Sequence, residues 1–134
     1  MSPFQPVNPP QLGAPRGYAH GLLVPAGART LFVAGQTAAN EHGQIGDVDF
    51  VAQFDAALGK VLAVVQAAGG CPEHVARMTV YVTELDTYLA RRAALGDIWK
   101  RRMGSHYPAM ALVEVSRLVD AGASVEFEAI AAIP

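Results

Sequence analysis

The last third of the chain constrains the fold most, because it reads as two strands joined by a short turn. Residues 109–118 and 123–130 are predicted strands, and residues 119–122 are the turn. Side chains alternate between the two faces of a strand. Two small apolar rows, predicted to lie under helices, are Ala111, Val113 and Val115 in the first strand and Val125, Phe127 and Ala129 in the second. The opposite rows mix apolar side chains with carboxylates and contain Met110, Leu112, Glu114, Ser116, Ser124, Glu126 and Glu128. Such a face suits burial against another subunit around a polar pocket.

The rest of the chain predicts three more strands and two helices. Residues 1–16 hold five prolines and are expected to form an irregular arm. The predicted strands are 17–24, 30–35 and 75–82, one helix runs from a cap at Asp47 or Asp49 to Ala68, and another runs from a capping box at Thr83 to Gly104. Residues 1–134 are therefore expected to form a single α+β domain, one mixed sheet with two helices on one face. The other face needs a partner.

Composition narrows the classes of partner. Hydrophobic residues make up 51% of the chain and charged residues only 16%, which favours oligomerisation. A net charge of -2 gives no field to hold nucleic acid or an anionic membrane. The N-terminus lacks a signal-peptide pattern, and the apolar stretches look too short and interrupted to cross a bilayer. With Cys71 as the single cysteine, a cytoplasmic protein is expected.

Several short motifs occur together in a recognisable order. They are Gly17-Tyr18, Ala34-Gly35-Gln36, Ala67-Ala68-Gly69, Thr79-Val80-Tyr81-Val82, Tyr107-Pro108-Ala109, Val113-Glu114-Val115, Arg117-Leu118 and Glu126-Phe127-Glu128-Ala129-Ile130-Ala131. In order and spacing they resemble the reactive intermediate deaminase (Rid, YjgF-like) family over nearly the whole chain. The resemblance implies a chorismate mutase-like or YjgF-like fold, homotrimers with ligand clefts between subunits, and hydrolysis of enamines and imines without a cofactor. One departure is clear, since Met110 stands where those deaminases have an arginine.

Glu126 is the candidate catalytic residue. An acidic side chain between Val125 and Phe127 needs a partner or a wet pocket. It could orient or deprotonate a water molecule, or it could be hydrogen-bonded at a subunit interface. The resemblance agrees with the first reading, because the first glutamate of Glu-x-Glu-Ala faces the family's cleft.

Six further residues are candidates for substrate binding. By resemblance, Tyr18 lines the cleft, although it could equally be an interface aromatic, and His20 would share its face. Arg92 lies where deaminases often carry an asparagine, and it either binds an anionic group or is simply solvated. Gly35 and Gln36 match a family Gly-Gln pair, with the glycine allowing close backbone approach. Met110 and Leu112 favour a more apolar ligand.

No metal or cofactor site is predicted. His20, His42, His74 and His106 are far apart, and none forms a His-x-x-x-His or Cys-x-x-Cys pair. Three functions remain, in this order: an imine or enamine hydrolase, a non-catalytic trimer that binds a small metabolite, and a ribonuclease. The acidic balance counts against the third function.

Overall fold

A four-stranded mixed sheet organises the computed structural model, which describes residues 2–134. Its strands are β3 (Arg29–Gln36), β4 (Val75–Val82), β5 (Ala109–Glu114) and β6 (Val125–Ile133), in the order β3-β6-β4-β5. Strand β6 is antiparallel to both neighbours, and β5 is parallel to β4. The helices pack on one face of this sheet, so the predicted α+β fold class is confirmed.

Helix α1 (Phe50–Ala67) supplies much of the core. Asp49 is its cap, since the Asp49 side chain accepts a hydrogen bond of 2.9 Å from the Ala52 amide. By length and a mean hydropathy of 1.3, α1 could span a membrane, so the expectation that no stretch qualifies is wrong by these two measures. Its apolar stripe nevertheless packs against the sheet, and Phe54 meets Phe127 edge-on with ring centroids 4.9 Å apart. In this structure α1 is a core helix.

The second predicted helix is divided into α2 (Leu85–Ala90) and α3 (Arg92–Met103), which meet at Arg91. The capping box expected at Thr83 does not form. A carboxylate from the end of β5 takes its place, because Glu114 Oε1 accepts a hydrogen bond from the Leu85 amide at 3.2 Å. Helix α3 ends at Gly104 as predicted.

Strands β5 and β6 are not neighbours, although a short turn was predicted to join them. Strand β4 lies between them, and residues 115–124 cross the end of that strand. The buried side chain of Gln53 in α1 holds this crossing. Its Nε2 donates to the carbonyl oxygens of Val48 and Gly122 at 3.0 Å, and its Oε1 accepts from the Ser124 amide at 2.9 Å.

The two rows of β5 face the opposite way from the prediction. Met110 and Leu112 pack against the core, whereas Ala111 and Val113 are exposed on the sheet's other side, called the open face below. The register explains this, because Met110 and Leu112 continue the buried row of Met78 and Val80 in the parallel neighbour β4. The rows of β6 are as predicted, with Val125 and Phe127 fully buried.

The N-terminal arm is more regular than expected. Strand β1 (Gln5–Val7) pairs antiparallel with β2 (Gly21–Leu23), and Pro10–Leu12 forms a turn of 3₁₀ helix. Between β1 and β2, the chain also extends the main sheet beyond β5. The Ala19 amide donates to the Pro108 carbonyl at 3.1 Å, which brings Tyr18 to that edge.

Candidate functional site

The predicted site residues are divided between the two faces of the sheet. Glu126 and Gly35 lie on the open face, with Gln36 half-buried at the end of β3. Arg92, Met110 and Leu112 line a cavity on the helix face. Tyr18 lies beside the β5 edge, outside both groups. A single chain therefore does not bring all the predicted residues into one pocket.

On the open face, the carboxylate of Glu126 lies against the backbone of Gly35. A Cβ atom at residue 35 would be 2.7 Å from Glu126 Oε2 and 2.9 Å from its Cδ. The pairing of β3 with β6 shifts register between Val33 and Gln36, at the position of Gly35. Glycine leaves this space to the carboxylate, whereas a larger side chain would displace the flexible end of Glu126.

The surroundings of Glu126 disfavour its charged form. Burial raises the pKa of Glu126, and the nearby carboxylates of Asp120 and Glu128 raise it further. Glu128 accepts a hydrogen bond of 2.7 Å from the Tyr81 hydroxyl, whereas no donor within residues 2–134 binds the Glu126 carboxylate. A half-buried carboxylate with a raised pKa and free lone pairs can take a proton from water.

The residues that support this end of β3 were not among the candidates predicted from the sequence. Thr37 is buried, and its hydroxyl donates a short hydrogen bond to Asp120. Lys60 Nζ donates to the Thr37 and Ala39 carbonyls at 2.9 and 2.8 Å. Asp120 thus has two effects, holding the strand end and adding negative charge near Glu126. No sequence motif marks it, because its partners are distant along the chain.

On the helix face, a cavity of about 230 Å³ lies between the helices and strands β4 and β5. It is called the β5 cavity below. Its lining is mostly apolar and aromatic and consists of Gly17, Phe54, Val80, Tyr88, Arg92, Leu95, Gly96, Trp99, Tyr107, Met110 and Leu112. Arg92 is the one cation among these residues. Within residues 2–134, no carboxylate oxygen lies within 4 Å of its guanidinium.

Two stacked aromatic rings form one wall of the β5 cavity. Trp99 and Tyr107 lie nearly parallel, with centroids 5.7 Å apart. Trp99 Nε1 donates to the His106 carbonyl at 3.1 Å, and His106 Nε2 lies 2.7 Å from the Val75 carbonyl. Since a carbonyl oxygen only accepts, this imidazole nitrogen carries a hydrogen. These bonds hold the Trp99 ring in place, and the Tyr107 ring stacks against it.

Tyr18 lines a neighbouring hollow, and the His20 ring lies against the Tyr18 ring. Tyr18 lines it together with Tyr107, which also lines the β5 cavity. The Tyr18 and His20 rings meet edge-on at 5.2 Å, and His20 Nε2 lies 3.0 Å from the Gly13 carbonyl. The His20 ring is therefore committed to the N-terminal arm, while Tyr18 remains next to the cavity wall.

Metal binding and thiol chemistry have little support within residues 2–134. Across residues 2–134, no group of three or more His, Cys, Asp or Glu side chains is arranged to hold a metal ion. Cys71 is free, and partial burial together with a contact to Glu73 raises the pKa of its thiol. This favours the protonated, unreactive form of Cys71 at neutral pH.

The chain is similar in sequence and structure to known proteins over most of its length. Residues 11–133 match the sequence family described as Endoribonuclease L-PSP. A RutC family protein of Pyrococcus abyssi is 32% identical over 102 residues, which cover 75% of this chain and 76% of that protein. The 2-iminobutanoate/2-iminopropanoate deaminase of Capra hircus is 30% identical over 115 residues, covering 85% and 78%. The crystal structure of YyfB, a Rid-family protein of unknown function from Yersinia pestis, has a TM-score of 0.82 at 29% identity and covers 98% and 99% of the two chains.

Proposed function

We propose that this chain, which belongs to the Rid/YjgF-like family described as Endoribonuclease L-PSP, is a cofactor-independent hydrolase of small imines and enamines. The observation that carries the proposal is the Glu126 carboxylate, half-buried over Gly35 with a raised pKa and no donor within residues 2–134. The goat relative named as an imine deaminase supports the same chemistry.

In the proposed reaction, water adds to the carbon of the C=N bond. Glu126 takes a proton from that water, a C–O bond forms, and the π electron pair moves to nitrogen, which receives the proton from Glu126. The resulting carbinolamine then loses ammonia as its C–N bond breaks and a carbonyl forms. An enamine first gains a proton at carbon to become the imine. Backbone N–H groups near Leu112 would stabilise developing charge.

The proposed assembly is a homotrimer with the open faces buried and ligands bound in clefts between subunits. It is supported by the division of the site residues, because Glu126 and the β5 cavity lie on opposite faces of one sheet. A second copy could supply the missing half. The open face also carries exposed apolar side chains, with Phe32 75% and Val113 42% exposed.

Met110 is expected to alter the substrate preference. In the family deaminases, the arginine at this position holds the substrate carboxylate, whereas a thioether offers only a weak sulfur acceptor. Met110 and Leu112 contribute apolar surface to the β5 cavity instead. We therefore expect slow turnover of small 2-imino acids such as the imine of pyruvate.

The proposed setting is the cytoplasm, with a small-molecule ligand and no nucleic acid or membrane partner. The free thiol of Cys71 and the net charge of -2 are consistent with this. Two of the basic residues on α3 are already paired, since Arg101 and Arg102 lie 2.9 and 2.6 Å from Asp55. A ribonuclease therefore ranks last despite the family description.

The second candidate function is a trimer that binds a metabolite without catalysis. It is favoured by the apolar lining of the β5 cavity, which within one chain contains no carboxylate. Its ligand would rest in the cavity without reaching a general base.

The deciding experiment measures ammonia release from imines generated in situ by an amino-acid oxidase, with and without the protein. We expect acceleration by the wild type and a loss of about a hundredfold to ten-thousandfold in Glu126→Gln. Glu41→Gln, at an exposed loop position, is the matched control and should keep full activity. If the wild type accelerates the hydrolysis of no imine or enamine, the hydrolase proposal is wrong. If Glu126→Gln keeps full activity, Glu126 has only a structural role.

A further inference from the structure

The β5 cavity combines an apolar interior with one unpaired cation. We infer that it selects anions that carry an aromatic or similarly bulky apolar group, with that group in the cavity and the anionic group on Arg92. Under the proposed function, which this inference refines, the substrate class is the imines and enamines of aromatic and large apolar 2-amino acids.

The interior argument rests on lining and size. Phe54, Leu95, Met110 and Leu112 present hydrocarbon or thioether surface, and the Trp99 ring forms an aromatic wall. The volume is about 230 Å³. An apolar cavity of about 150 Å³ is large enough to hold benzene. The β5 cavity therefore has room for a six-membered ring and a short linking chain, whereas a methyl-sized side chain would leave most of it unfilled.

The charge argument rests on Arg92. Arg92 and Gly96 are four residues apart on α3, so they share one side of the helix, and both line the cavity. Arg101 and Arg102, farther along the same helix, are held by Asp55. Arg92 has no such carboxylate within residues 2–134. Because the guanidinium is exposed, its contact with an anion contributes modestly to the free energy of binding and mainly orients the ligand. Burial of the ring contributes more.

The residue at position 110 accounts for the location of the proposed anion contact on α3. By resemblance, Met110 stands where the family deaminases carry an arginine, and its thioether lines the cavity instead. An arginine there would place a charge among apolar side chains. With Met110, the cavity interior stays apolar and the charge is left at residue 92.

Ligand binding can be measured without catalysis because Trp99 is the only tryptophan and lies in the cavity wall. The probes are 3-phenylpropanoate, its uncharged amide and propanoate, titrated against the full-length protein while Trp99 fluorescence is followed. We expect 3-phenylpropanoate to bind roughly ten- to a hundredfold more tightly than propanoate, because propanoate lacks the ring. We expect it to bind about five- to tenfold more tightly than the amide.

Three variants test the assignment. Arg92→Ala should weaken 3-phenylpropanoate about five- to tenfold and leave the amide unchanged. Arg91→Ala is the matched control, since it removes the same charge from an exposed neighbour outside the cavity lining. Gly96→Leu should abolish ring binding without unfolding α3, because a Cβ at residue 96 meets no atom within 4 Å and leucine favours the helix.

The outcomes separate this inference from the proposed function. Equal affinity for 3-phenylpropanoate and propanoate would overturn the inference, as would equal losses in Arg92→Ala and Arg91→Ala. If ring-bearing anions bind through Arg92 while no imine is hydrolysed, the inference stands and the hydrolase proposal fails. If the protein hydrolyses imines but its Trp99 fluorescence changes with none of the three probes, the hydrolase proposal is supported and the inference is contradicted.

Discussion

Glu126 and Gly35 occupy one shared space on the open face of the sheet. The carboxylate of Glu126 fills the volume that a side chain at residue 35 would need, with Oε2 2.7 Å from the position of the absent Cβ. Backbone strain is not involved, because residue 35 has no positive φ. The glycine therefore determines where the carboxylate can lie, and the two residues should respond to mutation as a pair.

The first prediction concerns this pair. Gly35→Ala should displace the Glu126 carboxylate and lower turnover at least tenfold with little loss of thermal stability, because the displaced atoms end a flexible side chain. In a Glu126→Ala background the same substitution should have almost no effect. A double-mutant cycle on kcat/KM should then give a coupling free energy of at least about 1.4 kcal/mol, the equivalent of tenfold. Additive effects would show that the two residues act independently.

The second prediction concerns pH. The folded-state pKa of Glu126 lies above its ordinary value of 4.5, so the charged form is a cost to the folded state. That cost is fully present above the folded pKa and is absent below the unfolded one. Glu126→Gln should therefore raise the melting temperature at pH 7, with the gain vanishing towards pH 4.

This gain in melting temperature should be modest, since Glu126 is only half-buried. Thermal melts at several pH values would measure it, with both proteins also carrying Phe32→Asp, the substitution expected to keep the protein monomeric. A loss of stability at pH 7 would show that the carboxylate has a stabilising partner. For the wild type, kcat/KM should fall as acid protonates this base.

The third prediction concerns residue 110. A charge-assisted contact from arginine to a carboxylate contributes roughly 1.5–3 kcal/mol. Met110→Arg should therefore raise hydrolysis of small 2-imino acids roughly ten- to a hundred-and-fiftyfold. The gain should be larger when Arg92→Ala removes the neighbouring like charge. Ammonia release is the assay, and an imine without a carboxylate is the control substrate, for which no gain is expected. An equal gain on both imines would count against carboxylate binding at this position.

The fourth prediction concerns assembly. Phe32 is the position for the test because its side chain is exposed on the open face. A substitution at Leu112 would disturb the β5 cavity on the helix face instead. Phe32→Asp should leave the monomer folded, since Phe32 is 75% exposed, but should abolish the trimer, because an unpaired buried charge costs several kcal/mol. Ala63→Asp on the exposed side of α1 is the control. Light scattering that shows a wild-type monomer at micromolar concentration would refute the assembly.

Local signals in the sequence were sufficient for the elements that depend on neighbours along the chain. Asp49 caps α1, and the predicted bounds of β4 and the stop at Gly104 match the structure. These features follow from capping, periodicity and glycine at a helix end.

Features set by distant pairing were missed. Nothing local shows that residues 115–124 cross β4, because a ten-residue connection is compatible with a hairpin or with a crossing. The face of β5 also depends on its parallel partner β4, since both of its rows contain apolar residues. The alternation pattern therefore predicts Met110 and Glu126 on one surface, whereas they lie on opposite faces of the sheet.

The sheet order has a consequence for biosynthesis. Strand β6 is the last of the four to be translated, yet it lies between β3 and β4 and pairs with both. While residues 125–133 are still in the ribosome, β3 lacks its only neighbour and β4 has an open edge. Such edges invite pairing with other chains. The nascent protein should therefore depend on chaperones until β6 emerges, and a product truncated before residue 125 should be degraded rather than accumulate as a partly active fragment.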